Sequence, residues 1–583
     1  MGSVVIKEPP ATVEEPSASV EELPVVPPQP TVTIEVNGHS PNPSVDDRTA
    51  KVLEEVKRRK AIAEAAVKPK PVAEPHNRIT SFPFAYALGA DYLHRFCWYC
   101  LKEESLKTCA GKCGMAGFCS AECERLAQKD HKPECAGYKR LKKGVERPDV
   151  EVRLLGRIAH RYKVGARREA LGTFPFAAIQ TGADKKIVDF YADRTSKRTI
   201  MEIWAHETDF ANDNQYTAQF NEIYQKLSKF YAASDLPSRD DVFKLHCRDF
   251  VNRHAISDLQ YQNEVGKGLY LDLCSYDHSC APDTVFYSVG FKSILVGLKP
   301  KADISDNRKS FYSYVDLMST FAQRQKQLKD TWFFDCQCTR CTDPNDHLLT
   351  AVKCQFCTID DLDIPVIVQG QKATKTDGRS CCPNCRKAQE RFHVMEANYL
   401  MRDINNFIDR MDEFSPADIA KQLTAFLTSC NLLLPNINAY RTRVVLNYVN
   451  WAELNPEAKM RAFVSIEPCL RHCFPPHHPG LAFYLRDVAH FCAEAQFYHD
   501  AISYLTEALD IMERIFIEHE IIPQMRAKRT DLQRRHAKRA QHRRTHRAAT
   551  PLPPLPPVNT DTVEFVSEDD TDDADSIDFD SVE

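Results

Sequence analysis

The chain has 583 residues, 43% of them hydrophobic, and a formal net charge of -5. That length allows about three or four domains with real cores, and so small a charge excludes a global pull toward nucleic acid or membrane, leaving such partners to local runs. No stretch approaches about 18 uninterrupted apolar residues, so no segment is expected to span a bilayer.

In chain order, residues 1–75 are rich in Pro and Glu and lack a helical or strand period through their first half. Such text buries too little surface to offset its ordering entropy and is predicted disordered, with a solvated helix at most over Asp46 to Lys68. Twenty-two cysteines accompany an N-terminus, MGSVVIKEPP, without an apolar signal segment, and CxxC pairs recur along the chain. That combination reads as a reducing compartment with zinc thiolates rather than secreted disulfides.

The densest signal is the run Cys97-x2-Cys100, Cys109-x3-Cys113, Cys119-x3-Cys123, His131-x3-Cys135. Each pair fits one tight or helical turn that aims both ligands at one tetrahedral Zn²⁺. Four pairs make two closed structural sites with no open position for catalysis. Lys107, Lys112 and Lys132 lie close in sequence to offset surplus thiolate charge.

Beyond the cysteine run, VRLLGRIAHRY (Val152–Tyr162) and the series Tyr216, Phe220, Ile223, Tyr224, Leu227, Phe230 and Tyr231 have helical spacing, with the aromatics assigned to core. From about Val242 to Tyr314 the text changes to short β-prone runs, GLYLDL, DTVFYSV, KSILVGL and SFYSYV, predicting a compact sheet. Cys336-x-Cys338-x2-Cys341 supplies three more thiolates. Cys354-x2-Cys357 and Cys382-x2-Cys385, with Cys381 as an alternative, read as a zinc ribbon. Cys247 and Cys274 have no paired ligand nearby and are assigned as buried thiols.

Residues 390–522 return to helical periodicity, as in Ala501, Tyr504, Leu505, Ala508, Leu509, Met512 and Ile515, with Pro-marked turns such as FPPHHPG. They predict stacked helix pairs of tetratricopeptide type. Residues 523–583, a basic run from Arg526 to Arg547, then PLPPLPP, then an acidic end, are predicted to be a disordered tail. PLPPLPP suits the aromatic groove of an SH3-like partner as polyproline II, and the basic run is the one candidate for polyanion contact or nuclear import.

The order of the four finger pairs resembles a MYND zinc finger. In that family the first and third pairs share one ion and the second and fourth the other. The resemblance thus groups Cys97, Cys100, Cys119 and Cys123 on one zinc and Cys109, Cys113, His131 and Cys135 on the second. GKGLY (Gly266–Tyr270), DHSCAPD (Asp277–Asp283) and YSYVD (Tyr312–Asp316) resemble the C-terminal half of a SET domain. CxCxxC resembles a post-SET cluster, which implies Cys280 as its fourth ligand beside Cys336, Cys338 and Cys341. Together the motifs resemble the SMYD family of protein-lysine methyltransferases over about Thr80 to Glu518.

The resemblance implies an α+β fold: a SET-type β-fold interrupted by a MYND finger, a post-SET cluster, then an all-α TPR-like domain, with disordered termini. The expected divisions are 76–96 for the first, degenerate SET strands, 97–135 for the finger, 136–320 for the rest of the SET domain, 321–345 post-SET, 346–389 the ribbon-like insert, and 390–522 the helical domain. It implies transfer of a methyl from S-adenosylmethionine to lysine of histone or non-histone proteins. Tyr314 is then the catalytic hydroxyl, and Asn252, Asp277, His278, Tyr314 and Phe334 hold the cofactor. Zinc is expected at two finger sites, one post-SET site and a fourth at Cys354, Cys357, Cys382 and Cys385.

Three departures stand against this. No Gly-x-Gly-Leu loop lies just upstream of Cys97, Asp277 replaces the usual asparagine, and Asp306-Asn307-Arg308-Lys309 replaces a Gly-Glu-Glu turn. They keep open an alternative, an inactive SET scaffold that recruits partners through finger and helices. Family habit and the basic run place the protein in nucleus, cytoplasm or both.

Overall fold

A computed structural model describes residues 77–141, 147–170, 199–258, 263–360, 362–368, 380–516 and 519–549. The N-terminal segment 1–75, its candidate helix, PLPPLPP and the acidic end fall outside the described residues.

Strands β1 (Arg78–Ser81) and β2 (Ala85–Leu88) come first, followed by the finger, with its small hairpin β3 (Lys107–Thr108) and β4 (Gly117–Phe118) and the helix α1 (Ala121–Arg140). Ser120 caps α1 by accepting from the Cys123 amide. Helix α2 (Val150–Ala170) follows, then α3 (Glu207–Asn212), α4 (Asn214–Phe230) and α5 (Arg239–Asn252). Strands β5 (Arg253–Ser257), β6 (Glu264–Leu269), β7 (Thr284–Val289) and β8 (Lys292–Gly297) complete two three-stranded antiparallel sheets, ordered β2-β6-β5 and β1-β8-β7. Ala85 lies opposite Leu269 and Ile79 opposite Leu295, so strands on either side of the finger pair with one another. The finger is an insertion in a sheet fold.

Strand β2 is a sheet edge, and α2 covers it. Arg153, Arg157 and Arg161, all buried, donate to the carbonyls of Leu88, Tyr86 and Phe84 respectively. Four residues of helix rise about 6 Å and two of strand about 6.7 Å, so i, i+4, i+8 arginines match alternate outward carbonyls. The exposed edge that would invite pairing is thereby closed. The same arginines reach the finger: Arg157 pairs with buried Glu134, and Arg161 grips Asp130 at 2.7 Å. Burial alone would raise the Glu134 carboxyl, but Arg157 outweighs it and holds the group below its usual range.

Beyond the sheets come α6 (Phe321–Trp332), α7 (Thr339–Thr342), a two-stranded ribbon of β9 (Val352–Lys353) and β10 (Pro365–Val366), then successive helices α8 (Arg391–Ile408), α9 (Pro416–Leu433), α10 (Ala439–Trp451), α11 (Pro456–Ser465), α12 (Glu467–Cys473), α13 (Pro479–Glu494) and α14 (Tyr498–Ile515). Asn438 and His478 start α10 and α13 alike, each accepting backbone amides after a Pro-bearing turn. One core joins this stack to the sheet, since Val285, Tyr287, Val296 and Leu298 pack with Leu485, Leu509 and Phe516.

Three expectations need correction. Val242 to Asn252 is helix, not sheet, with Val242, Leu245 and Val251 on its buried side. SFYSYV makes only a single bridge, Tyr312 to His278, because Ser313 and its neighbours turn back on themselves through Ser313 Oγ to Val315 O. The basic run is not a disordered tail from 523: α15 (Ile521–Ala549) continues the stack, anchored by buried Ile521, Ile522, Met525 and Leu532.

Candidate active site and metal clusters

Four groups of four ligand atoms lie within 4.8 Å of one another: Cys97, Cys100, Cys119 and Cys123; Cys109, Cys113, His131 and Cys135; Cys280, Cys336, Cys338 and Cys341; Cys354, Cys357, Cys382 and Cys385. The finger groups are interleaved as the resemblance implied. Cys280 joins the CxCxxC triplet across more than fifty residues, and Cys381 stays exposed outside its cluster.

The donor chemistry fits zinc. All the cysteines are free thiols, and the surroundings supply the hydrogen bonds that bound thiolates take. Gly111 N lies 3.2 Å from Cys109 Sγ, Arg324 Nη2 3.7 Å from Cys341 Sγ, and Gln389 Nε2 3.4 Å from Cys354 Sγ. His131 presents Nε2 to Cys109 Sγ at 3.1 Å, and burial pulls its pKa down to about 4, leaving the neutral imidazole that coordinates.

The post-SET cluster abuts the candidate catalytic group. The Tyr314 amide donates to His278 Nδ1 at 3.0 Å, which leaves the ring proton on Nε2, 3.1 Å from Cys280 Sγ. His278 is thus oriented between a backbone amide and a cluster sulfur, and burial lowers its pKa to about 4. The Tyr314 hydroxyl donates to the Tyr276 carbonyl at 2.7 Å. Burial first, then Tyr312, Asp277 and Cys274, raises its pKa well above the usual phenol value. Tyr314 therefore acts as a fixed phenol, never as a base at neutral pH.

Aromatic rings surround this hydroxyl-bearing side chain. Tyr314 lies 5.2 Å from Tyr312 and from Trp332, and 5.1 Å from His278, while Phe334 stands 6.1 Å from His278. Trp332 is fixed by its indole N–H to the Val251 carbonyl at 2.8 Å, and Phe333 has a left-handed φ of 60°. Phe333 turns the opposite way, joining Phe210 and Tyr216.

Of the expected site residues, Tyr314, His278 and Phe334 are brought together, and Asp277 sits half-buried next to His278. Asn252 stands at the end of α5, its Nδ2 donating to Trp204 O at 2.7 Å and Arg248 O at 2.8 Å. Its Oδ1 is buried without a donor. An orphan acceptor of this kind suits an ammonium or hydroxyl of a bound cofactor. Gly266 and Gly268 serve packing instead: a Cβ on Gly266 would meet the Ala87 carbonyl at 2.5 Å.

Sequence reasoning missed Trp332, Tyr276 and the buried pair His254 Nε2 and Tyr312 Oη, 2.8 Å apart. Trp332 and Phe334, like Tyr312 and Tyr314, sit two apart in sequence. That spacing was the available signal.

No family model matches the chain. It is 29% identical over 262 residues to human histone-lysine N-methyltransferase SMYD3, covering 45% of this chain and 55% of that one. To human N-lysine methyltransferase SMYD2 it is 24% identical over 262 residues, covering 44% and 53%. To human histone-lysine N-methyltransferase SMYD1 it is 26% identical over 275 residues, covering 44% and 49%. The chain spans about half the length of the curated relatives it matches. With their similarity added to a finger inserted between paired strands, interleaved ligand groups and a cluster cysteine beside Tyr314, the chain is similar to SMYD proteins over this stretch and diverges from each of them at about three residues in four.

Proposed function

We propose that this chain transfers a methyl group from S-adenosylmethionine to a lysine of a histone or non-histone protein. The observation that carries the reading is the Tyr314 hydroxyl, fixed by the Tyr276 carbonyl and enclosed by Tyr312, Trp332 and His278. S-adenosylmethionine supplies an activated methyl on a sulfonium, so the protein's work is alignment and desolvation.

Asn252, Asp277, His278 and Phe334 would hold the cofactor. The aromatic walls exclude water from an entering lysine and lower its amine pKa, so that it arrives neutral, its proton already released to solvent. A bound S-adenosylmethionine would supply the methyl, the amine nitrogen bonding to its carbon as the carbon–sulfur bond breaks to leave a neutral thioether. Tyr314 Oη would offer weak contacts to the methyl hydrogens and so help to steer that carbon. The four ligand groups would each carry zinc in a structural role.

Calorimetric titration with S-adenosylmethionine tests the reading, with saturable heat expected. Tyr314→Phe is then expected to lower methyl transfer on the order of 100-fold while leaving cofactor affinity intact. Absence of heat from folded protein would favour the scaffold reading, which the carboxylate of Asp277 and the glycine-free connection Phe82–Phe84 support. We also propose residence in nucleus, cytoplasm or both, tested by imaging tagged chains with and without residues after Gln524.

A further inference from the structure

Helix α15 carries ten Lys and Arg residues between Arg526 and Arg547 against one acid, Asp531. Few of its described cations are paired. Arg526 meets Glu513, Arg535 meets Asp531 within the helix, and Arg539 donates to the Gln496 carbonyl, while Arg534 and Lys538 point to solvent. A cavity of about 400 Å³ opens between α13, α14 and the first turns of α15. Its floor is Ala489, Leu505, Ile521, Met525 and Leu532, and Lys528 stands at the rim. Across from Lys528, Arg486 is paired with Asp487. An apolar floor beneath a cationic helix selects a ligand that alternates acidic and apolar side chains.

The chain carries such a segment. Residues 561–583 hold eleven Asp and Glu, no Lys or Arg, and end in DSIDFDSVE, where Ile577, Phe579 and Val582 alternate with acids. The connection from Thr550 to Thr560 is Pro-rich. As polyproline II its eleven residues span about 34 Å at about 3.1 Å each, against about 32 Å of helix from Lys528 to Ala549 at about 1.5 Å per residue. Lys528, near the start of α15, is within reach of the acidic segment, at the high effective concentration of a tethered ligand.

We propose that residues 561–583 fold back along α15, pairing their carboxylates with its arginines and lysines and seating Ile577 and Phe579 in the cavity against Leu505, Met525 and Leu532. The helix is thereby masked from other polyanions until the tail is displaced.

A labelled peptide of residues 561–583 is titrated into the chain truncated after Thr560 and into the full chain. Saturable binding to the truncated chain, at least 10-fold weaker to the full chain, is expected. Raising salt, Lys528→Glu in the protein, and Ile577→Ala with Phe579→Ala in the peptide should each weaken it several-fold. No binding to the truncated chain, or equal binding to both chains, overturns the proposal. Retained affinity of the doubly substituted peptide overturns the seat in the cavity. A short DNA duplex is titrated in parallel, and equal duplex binding by both chains would mean that the tail does not mask the helix. Far-UV circular dichroism of Lys528→Glu checks that α15 is intact, and hydrogen exchange over 521–535 should quicken on truncation.

Discussion

The finger seam and the C-terminal helical stack are held by different chemistry. Around α2 the contacts are ionic and adjoin two metal-ligand clusters: three buried arginines bind strand carbonyls, Glu134 and Asp130, and the helix carrying those acids also carries Cys123, His131 and Cys135. Arg157 further stacks on Trp98 at 3.9 Å. In α13 and α14 the core is Leu485, Val488, Leu505, Ala508, Leu509 and Met512, whose burial needs no partner charge. A cation buried among carbonyls is specific in register but fails completely when one partner leaves. An apolar stack loses stability by increments.

The largest test of that contrast is metal removal. Structural zinc contributes on the order of 10 kcal/mol per site in finger peptides, so a strong chelator is expected to unfold the finger and its sheet. It should also loosen α8 and α9, because Cys354, Cys357 and Cys382 pack with Met401, Ile404 and Leu423. Helices α13 and α14 should keep their ellipticity. Helical signal lost in one step across the whole chain would break the comparison.

Next in size is Arg157→Ala. It leaves the Glu134 carboxylate buried without its ion pair and opens the β2 edge, at an expected cost of about 3–5 kcal/mol. Leu509→Ala, in the other region, is expected to cost about 3 kcal/mol, and chelator should not change that figure. Denaturant midpoints of the two variants, with and without chelator, separate the regions.

This contrast also sorts what was legible in the sequence. Zinc ligands were readable because their spacing is local, and each cluster that spacing or family order suggested is assembled. The arginine ladder was not. VRLLGRIAHRY reads as an amphipathic helix, and only the edge of β2, brought close by the fold, makes Arg153, Arg157 and Arg161 interior residues. Trp332 was hidden in the run Trp332-Phe333-Phe334, whose alternation depends on the left-handed turn at Phe333. Helix α15 looked like a tail because its apolar anchor is four buried residues in its first twelve. Periodicity over Arg526–Arg547 carries no second apolar stripe. Tyr314 and His278 were placed by family order, not by any local pattern.

Acid should sharpen the difference further. Burial holds the His254 and His246 pKa values at about 4 and about 3 in the sheet region, and His478 at about 3 in the helical stack. The unfolded value is about 6.5, so the unfolded chain takes up protons first. The stability each neutral imidazole contributes is full above about pH 6.5 and is lost as pH falls toward the folded value. By pH 5 each costs about 2 kcal/mol, and the sheet region, with two of these three and with His278 besides, is expected to melt before the stack. Near-UV and far-UV dichroism followed from pH 7 to 4 read the two regions separately, and coincident transitions would contradict the contrast.

The smallest effect concerns an ionic network on the outer face of the stack that ties two helices together. Arg471 on α12 meets Glu467 at 2.6 Å and Glu507 of α14 at 2.8 Å, with side chains 21% to 43% exposed. Water and salt screen these charges, and holding a long side chain in place costs entropy, so Arg471→Ala should cost only about 0.5 kcal/mol. That is several-fold below Arg157→Ala, although both remove one arginine from a bidentate carboxylate contact. The ratio isolates burial as the variable. Equal destabilisation by the two, measured at low and high salt, would show that the finger seam owes nothing special to its dry interior.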